Sequence, residues 1–427
     1  MRTNTRPDAR WTTESILLWL IVCGALALAC FLLSSHPASV GAQDFRGFYV
    51  AGQMVLRCPS QLFDVHLQKQ FQDAAAGGSQ LVTFEHPAYE ALLFAPLSLF
   101  QYRTAYLVYA GWNMLLLWLC YLLTRSTNSS LSDSYRPALF FLSFPVLLTI
   151  FVGQDSILFL LAVCLTYNAL AARNDWRAGL ILGLVSFKLA IVAPLAVLLS
   201  IRRGRKFISG FLSTALACAA LSIWLTGIQG TQAFLHLLSS ATLSTDHSVQ
   251  AQYVEGIWLH AMPNLAGLFY LLGSGHLSPL AFNALNLAGI IALLAACAWL
   301  QRRAITDSTA FASAVACSVL VSPHLYVYDL AVLPVVFLTL SSRWTKIIAV
   351  LWFVLLPLLY AISYPYLMWF APAVVVPLLL LAVCFSHQQM TSISDALNQP
   401  EHDTQVLGHS PNTQPSHLTC SNEQHAD

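Results

Sequence analysis

The chain has 427 residues, of which 57% are apolar and only 9% charged, with a net charge of +1. A soluble domain carries roughly 25% charged residues, so this composition excludes a water-soluble globular protein and marks a polytopic membrane chain. It also lacks the basic surplus that nucleic acid demands, and no nucleic-acid partner is expected.

Residues 1–13 carry Arg2, Arg6 and Arg10 and precede an apolar run from Ser15 to Leu33. That run exceeds the roughly 7–15 residues of a signal-peptide core and ends without a small-x-small cleavage site, so it reads as an uncleaved first span at about 14–35. Runs able to cross about 30 Å of hydrocarbon as helices recur to residue 386, and the ten-residue alternation of a membrane barrel is absent. The further predicted spans are 103–123, 137–151, 156–172, 207–226, 280–300, 308–321, 329–341, 346–363 and 366–386. The fold class is therefore an all-α polytopic membrane protein of about 10–12 transmembrane segments, with one transmembrane domain over 14–386.

Between the first two spans, residues 36–102 mix aromatic and polar residues at helical spacing, as in "YVAGQMVLRC". They read as an outer-face segment with interfacial helices. This segment holds Asp44 and Arg46 directly after the first span, and later His86 in "FEHPAYEALLFAPL", where Pro87 holds the histidine extended. Asp44 suits either a helix N-cap or a general base whose pKa is set by burial and a nearby cation, and Arg46 is the cation expected to tune it.

Two polar turns follow. "FVGQDSILFL" places Gln154 and Asp155 between two apolar walls, as a helix cap or as part of a cavity lining. Residues 178–200 would, as one crossing, throw Arg202–Lys206 to the wrong side of the positive-inside rule. Two half-helices, 178–187 and 190–201, meeting near Lys188 resolve this, each only about 15–18 Å long. A lysine within such an apolar stretch costs about 2.5–3.5 kcal/mol on insertion scales, which makes Lys188 a candidate for binding an anionic head group.

Residues 227–279 read as a second outer-face loop, in which His236, Asp246, His247, Glu255 and His260 lack compact ligand spacing. Last, "SPHLYVYDL" gathers His324, Tyr328 and Asp329 at the mouth of a late span, as a cap or as a sugar and phosphate recognition group. No metal site is assigned and no cofactor is expected, a divalent ion staying open. The cysteines sit in apolar runs and read as small hydrophobes without a disulfide framework. The tail, 387–427, lacks Lys and Arg and is rich in polar residues, and reads as disordered and cytoplasmic.

With the N-terminus inside, every Lys and Arg falls on the cytoplasmic side except Arg46, Arg57, Lys69, Arg103 and Lys188. Asp44, the His86 stretch, the Gln154 turn and the His324–Asp329 motif then all fall on the other face, although function played no part in the sorting.

In order along the chain, "DFRGFYVAGQMV", "FEHPAYEALLFAPL", "GQDS", "AGLILGLVSFKLAIVAP" and "SPHLYVYDL" resemble the motifs of glycosyltransferase family 87, the bacterial polyprenyl-phosphate-mannose-dependent α-mannosyltransferases. The resemblance spans about residues 40–335. It implies a C-type glycosyltransferase-like bundle in the bacterial inner membrane with its active site on the non-cytoplasmic face. The implied partners are a polyprenyl-phosphate sugar donor, a lipid or glycan acceptor and the surrounding membrane lipids. The implied activity is inverting transfer of a hexose, mannose for the family, to a hydroxyl acceptor. Carried over, Asp44 is the catalytic base and Lys188 holds donor phosphate. From the reading of the residues themselves, Arg46 is expected as a second phosphate contact, and His86, Gln154, Asp155, His324, Tyr328 and Asp329 are expected to bind substrate. The chain departs from the family at Glu85-His86-Pro87, where Tyr-Pro-Pro is common, and at Ser156, where Asn is common. A polytopic transporter or lipid flippase is the alternative, which the clustering of acids at one face and the lack of an internal repeat disfavour.

Overall fold

The computed structural model describes residues 44–76, 81–125, 127, 135–243, 258–273, 276–303, 306–363 and 370–397. The expected N-terminal segment, the first span and residues 398–427 of the tail lie outside them, as do Asp246, His247 and Glu255. Within the compact unit that ends at Gln388, the described residues form helices and contain no strand.

Three short helices come first: α1 (Asp44–Arg57), α2 (Val65–Ala76) and α3 (Ala88–Phe94). α4 (Tyr102–Thr124) is a full-length apolar helix, followed by α5 (Tyr135–Phe141) and α6 (Phe144–Val152), which together make a second. α7 (Ser156–Ala171), α8 (Asp175–Leu184), α9 (Leu189–Arg203) and α10 (Arg205–Leu243) follow. α11 (Leu265–Gly273), α12 (Pro279–Arg303), α13 (Asp307–Val321), α14 (Pro334–Thr339), α15 (Arg343–Ser363) and α16 (Val375–Leu397) complete the order.

Among the described residues, five helices or helix pairs are long and apolar enough to cross a membrane, and the bent pair α8–α9 makes a sixth. The bend is 76° and lies at the Ser186–Lys188 turn, where the charge pattern required two half-helices to meet. Helices of 15 or 16 residues reach only about 22–24 Å. Three of these, α7, α9 and α13, form the packed interior. Every residue of α13 from Thr309 to Val321 is buried, as expected for a helix that is apolar all round and enclosed by its neighbours. By contrast α10 and α12 expose Leu216, Trp224, Leu287 and Ile291, large side chains suited to hydrocarbon rather than water.

The glycines of "AGLILGL" explain how α8 packs. A Cβ on Gly179 would stand 2.1 Å from the Phe207 carbonyl oxygen, and one on Gly183 would stand 2.2 Å from Thr214 Oγ1. Four residues apart, they let the backbones of α8 and α10 meet, the small-xxx-small contact of membrane helices. The Thr214 hydroxyl then donates to the Leu180 carbonyl at 2.8 Å.

The structure differs from expectation in two places. Helix α10 does not end near residue 226; it breaks at Gly227 (φ 68°) and resumes to Leu243, and α11 is also helical, so the segment 227–279 holds helices rather than a plain loop. A break of this kind is invisible to hydrophobic periodicity, because the polar residues after Gly227 still sit at helical spacing. Likewise α16 runs to Leu397, beyond the expected start of the tail at 387. The cysteines behave as expected: Cys120, Cys164, Cys218, Cys297, Cys317 and Cys384 are buried and free.

Candidate functional site

Asp44 opens α1, where an acid is favoured by the helix dipole. Its neighbour Phe45 is fully buried among the rings of Tyr102, Tyr106 and Tyr109, at 5.6, 5.5 and 5.3 Å between centroids. Aromatic pairs at such distances fix geometry as well as burying area, so α4 sets where α1 begins. The same tyrosines seat the opposite wall. Tyr106 donates to the Ile150 carbonyl at 2.8 Å and Tyr109 to the Gln154 carbonyl at 2.8 Å.

Between them sits Gly153, the left-handed cap of α6 (φ 77°), on which a Cβ would stand 2.4 Å from that of Phe45. Only glycine permits both that backbone and that approach. The consequence is a direct bond across the gap: the Gln154 amide donates to Asp44 Oδ2 at 2.8 Å. Asp44, Gly47, Phe48, Thr83, His86 and Gln154 are among the residues lining a cleft of about 40 Å³.

Behind the cleft lies a buried chain of acidic and basic side chains. Glu90 Oε2 meets His86 Nδ1 at 2.6 Å, and the other Asp155 oxygen of the chain, Oδ2, lies 3.5 Å from the same nitrogen. Lys188 Nζ stands 2.7 Å from Asp155 Oδ1 and 2.8 Å from Asp329 Oδ1. Asp329 also accepts from the Ser156 hydroxyl at 2.8 Å and from the Tyr326 amide at 3.1 Å. The Tyr328 ring lies 5.7 Å from Lys188 Nζ, a cation–π distance. The Lys188 ammonium has three donors, and two are committed to carboxylates.

These surroundings set the protonation states. Burial pushes Asp44 up to about 6, against the Gln154 hydrogen bond and the Lys188 charge, while Asp329 and Asp155 push in the same direction as burial. Burial alone would lower His86, but the Glu90 and Asp155 carboxylates outweigh it and raise the imidazole above its ordinary value. Burial would raise Asp155, and Lys188 and His86 hold it below the usual carboxylate range. Burial lowers His324 to about 4 despite Asp329, so its ring is neutral at pH 7.

Asp44, His86, Gln154, Asp155, Lys188, His324, Tyr328 and Asp329 converge here. Arg46 is buried, and its guanidinium reaches the Tyr102 phenol, on which Asp44 also acts. Glu90 was not singled out in the sequence. Its signal was its place four residues after His86, close enough for the two to meet across the start of α3. His86, Glu90 and Asp155 bring ligating atoms within 4.8 Å of one another, donor types that suit a divalent ion.

The fold and the site define a polytopic membrane protein with a buried, carboxylate-rich cleft fixed between its helices. The sequence model of glycosyltransferase family 87 matches residues 84–323, more than half of the chain, and the chain belongs to that family, the membrane glycosyltransferases. The match takes in His86, Gln154, Asp155 and Lys188, whereas Asp44, Arg46, His324, Tyr328 and Asp329 lie outside it. No curated protein and no solved structure matches the chain.

Proposed function

We propose that this glycosyltransferase moves a hexose, mannose in the first instance, from a polyprenyl-phosphate donor to a hydroxyl of a lipid-linked or glycan acceptor, with inversion. The observation that carries the reading is Asp44, held by Gln154 at the mouth of the cleft with its pKa pushed up to about 6. A carboxylate in that range is mostly ionised at pH 7 yet basic enough to share a hydroxyl proton in the transition state.

In the step proposed, Asp44 takes the proton of the acceptor O–H as the oxygen attacks the sugar's anomeric carbon. The bond from that carbon to the donor phosphate oxygen breaks, and the phosphate leaves with the electron pair. A phosphate needs little help from an acid, but its charge needs a cation. The third donor of Lys188 supplies it, with the neutral His324 ring as a further hydrogen-bond donor. Gln154 Oε1, buried and without a hydrogen-bond partner among the described residues, is an acceptor for a sugar hydroxyl. His86, Asp155, Tyr328 and Asp329 hold this arrangement around the sugar, and Arg46 meets the phosphate from the α1 side. In this reading Lys188 supplies the positive charge that the leaving phosphate needs, and a divalent ion held by His86, Glu90 and Asp155 is the alternative source of it. The reading puts the site on the non-cytoplasmic side of a bacterial inner membrane, and the distribution of arginines supports that face.

The test is transfer of labelled sugar from polyprenyl-phosphate mannose to membrane lipids by the purified protein in liposomes. Label transferred by the native protein and lost in Asp44→Asn supports the reading. Near-normal transfer by Asp44→Asn overturns the assigned base, and transfer only from a nucleotide sugar overturns the donor.

A further inference from the structure

Three interior helices run from the site to a second charged cluster. α7 starts at Ser156 and stops just before Arg173, α9 starts after Lys188 and ends at Arg203, and α13 leads from Asp307 back to Ser322. At about 22–24 Å from the site, these ends enclose a pocket of about 440 Å³ lined by Arg173, Arg202, Arg203, Arg302, Gln301, Ile201 and Asp307. Its volume is in the range of small-molecule sites, roughly 300–1,000 Å³.

Among the described residues that line this pocket, arginines outnumber carboxylates. Arg202 Nη2 lies 2.8 Å from Asp307 Oδ1, Arg203 Nη2 3.0 Å from Oδ2, and Arg173 Nη1 3.3 Å from Oδ2. Three guanidinium groups thus share one carboxylate, and Arg302, which forms no ion pair among the described residues, lines the same pocket. Arg203 has a further carboxylate, Asp175, at 3.7 Å, outside the lining. Guanidinium groups drawn together this closely in a partly enclosed space repel one another unless an anion joins them.

Arg173 adds a separate observation. The Asn174 amide donates to the Ala169 carbonyl at 2.9 Å and the Arg173 amide to the Leu170 carbonyl at 3.0 Å, which makes Arg173 the left-handed cap of α7. It is the one non-glycine with positive φ (58°) among the described residues. Glycine is the usual occupant of this place, and an arginine there strains the backbone for the sake of its side chain. Trp176 and Trp299, both about half exposed, flank the pocket in sequence, as aromatic residues do at the depth of lipid head groups.

We propose that this pocket binds a phosphate-bearing anion, carried on a phospholipid head group or as a free phosphate, and that it is distinct from the transferase site and independent of the donor assigned there. Arginine forks match phosphate oxygens two at a time, and basic pockets between membrane helices take anionic head groups in this way.

The test uses the full-length protein in a neutral detergent. Dissociation constants are measured for phosphatidylglycerol, for phosphatidylcholine and for inorganic phosphate, in the native protein and in Arg302→Gln and Arg173→Gly. Arg302 is exposed at a helix end and glycine suits the backbone at 173, so both variants fold. Phosphatidylglycerol binding at least tenfold tighter than phosphatidylcholine, with that margin reduced at least tenfold in both variants, supports the site and names a lipid source. Binding of inorganic phosphate weakened in the same variants supports it and names a soluble source. Equal binding in native and variant proteins, or no anion bound at all, overturns it and leaves the arginines as topology signals alone.

Discussion

At Asp44 the proposed role as base and the stability of the fold pull in opposite directions. Its carboxyl, pushed up to about 6 from 3.8, binds a proton more tightly in the folded protein than in the unfolded chain. The stability this contributes is full below about pH 3.8 and is lost as pH rises through about 6, so ionised Asp44 costs up to about 3 kcal/mol at pH 7. Asp44→Asn is therefore expected to raise the thermal midpoint at pH 7, by an amount that shrinks at pH 5, while transfer is abolished. A midpoint that falls, or a gain independent of pH, would refute burial as the controlling influence. In the native enzyme the transfer rate should fall on the acid side with a midpoint near pH 6, read from a pH–rate profile.

Lys188 behaves differently, because it holds two acids rather than one. Lys188→Met leaves Asp155 and Asp329 facing each other without their cation, and breaking a buried pair in this way costs about 3–5 kcal/mol. Adding Asp155→Asn should return part of the lost thermal stability but none of the transfer, since it removes an orphaned charge without restoring the cation. Additive losses in the double variant would show that the pair is not coupled. The same lysine bears on metal dependence. Transfer in the presence of a strong chelator should keep its full rate, and a loss restored by a divalent ion would instead assign His86, Glu90 and Asp155 as ligands.

Among the elements, the turn at Gly153 carries the most geometry. Gly153→Ala combines a left-handed backbone with a Cβ driven against Phe45. Together these should cost about 2–5 kcal/mol. Because Phe45 follows Asp44, transfer should fall further than the loss of folded protein explains, measured at a temperature where the variant remains folded. Gly204→Ala is the control. Its φ is also positive (71°), but nothing lies within 4 Å, so stability alone should drop, by about 1–2 kcal/mol. Equal activity losses in the two would show that Gly153 does not position the base. Much of this element-level picture was legible in the sequence. The bent pair at Lys188 followed from helix length and the placing of arginines, and the polar turns at Gln154 and Asp329 stood out against apolar walls. The Glu90–His86 contact and the tyrosine platform under Phe45 were not legible, because they depend on which faces of α1, α3 and α4 meet. The resumption of α10 beyond Gly227 was hidden because a single backbone break leaves composition unchanged.

Across the whole molecule, charge is arranged by end. The carboxylates of Asp44, Asp155 and Asp329 surround one mouth of the bundle, and the arginines of residues 173–203 and 302 gather some 22–24 Å away along α7, α9 and α13. That separation is shorter than the roughly 30 Å of hydrocarbon. At least one end is therefore sunk below the membrane surface, which for the carboxylate end would let the lipid-phosphate donor proposed above reach the cleft from within the bilayer. The orientation can be read with cysteines. Cys58, half-buried just after α1, belongs to the acidic end. In a background with Cys420 replaced by serine, a membrane-impermeant thiol reagent added to intact spheroplasts should modify Cys58, with the signal lost in Cys58→Ser. A cysteine placed at position 302 (Arg302→Cys) should react only after the membrane is opened. Reversal of the two would place the carboxylate end in the cytoplasm, where nucleotide sugars are available, and the donor assignment would then have to change with the topology.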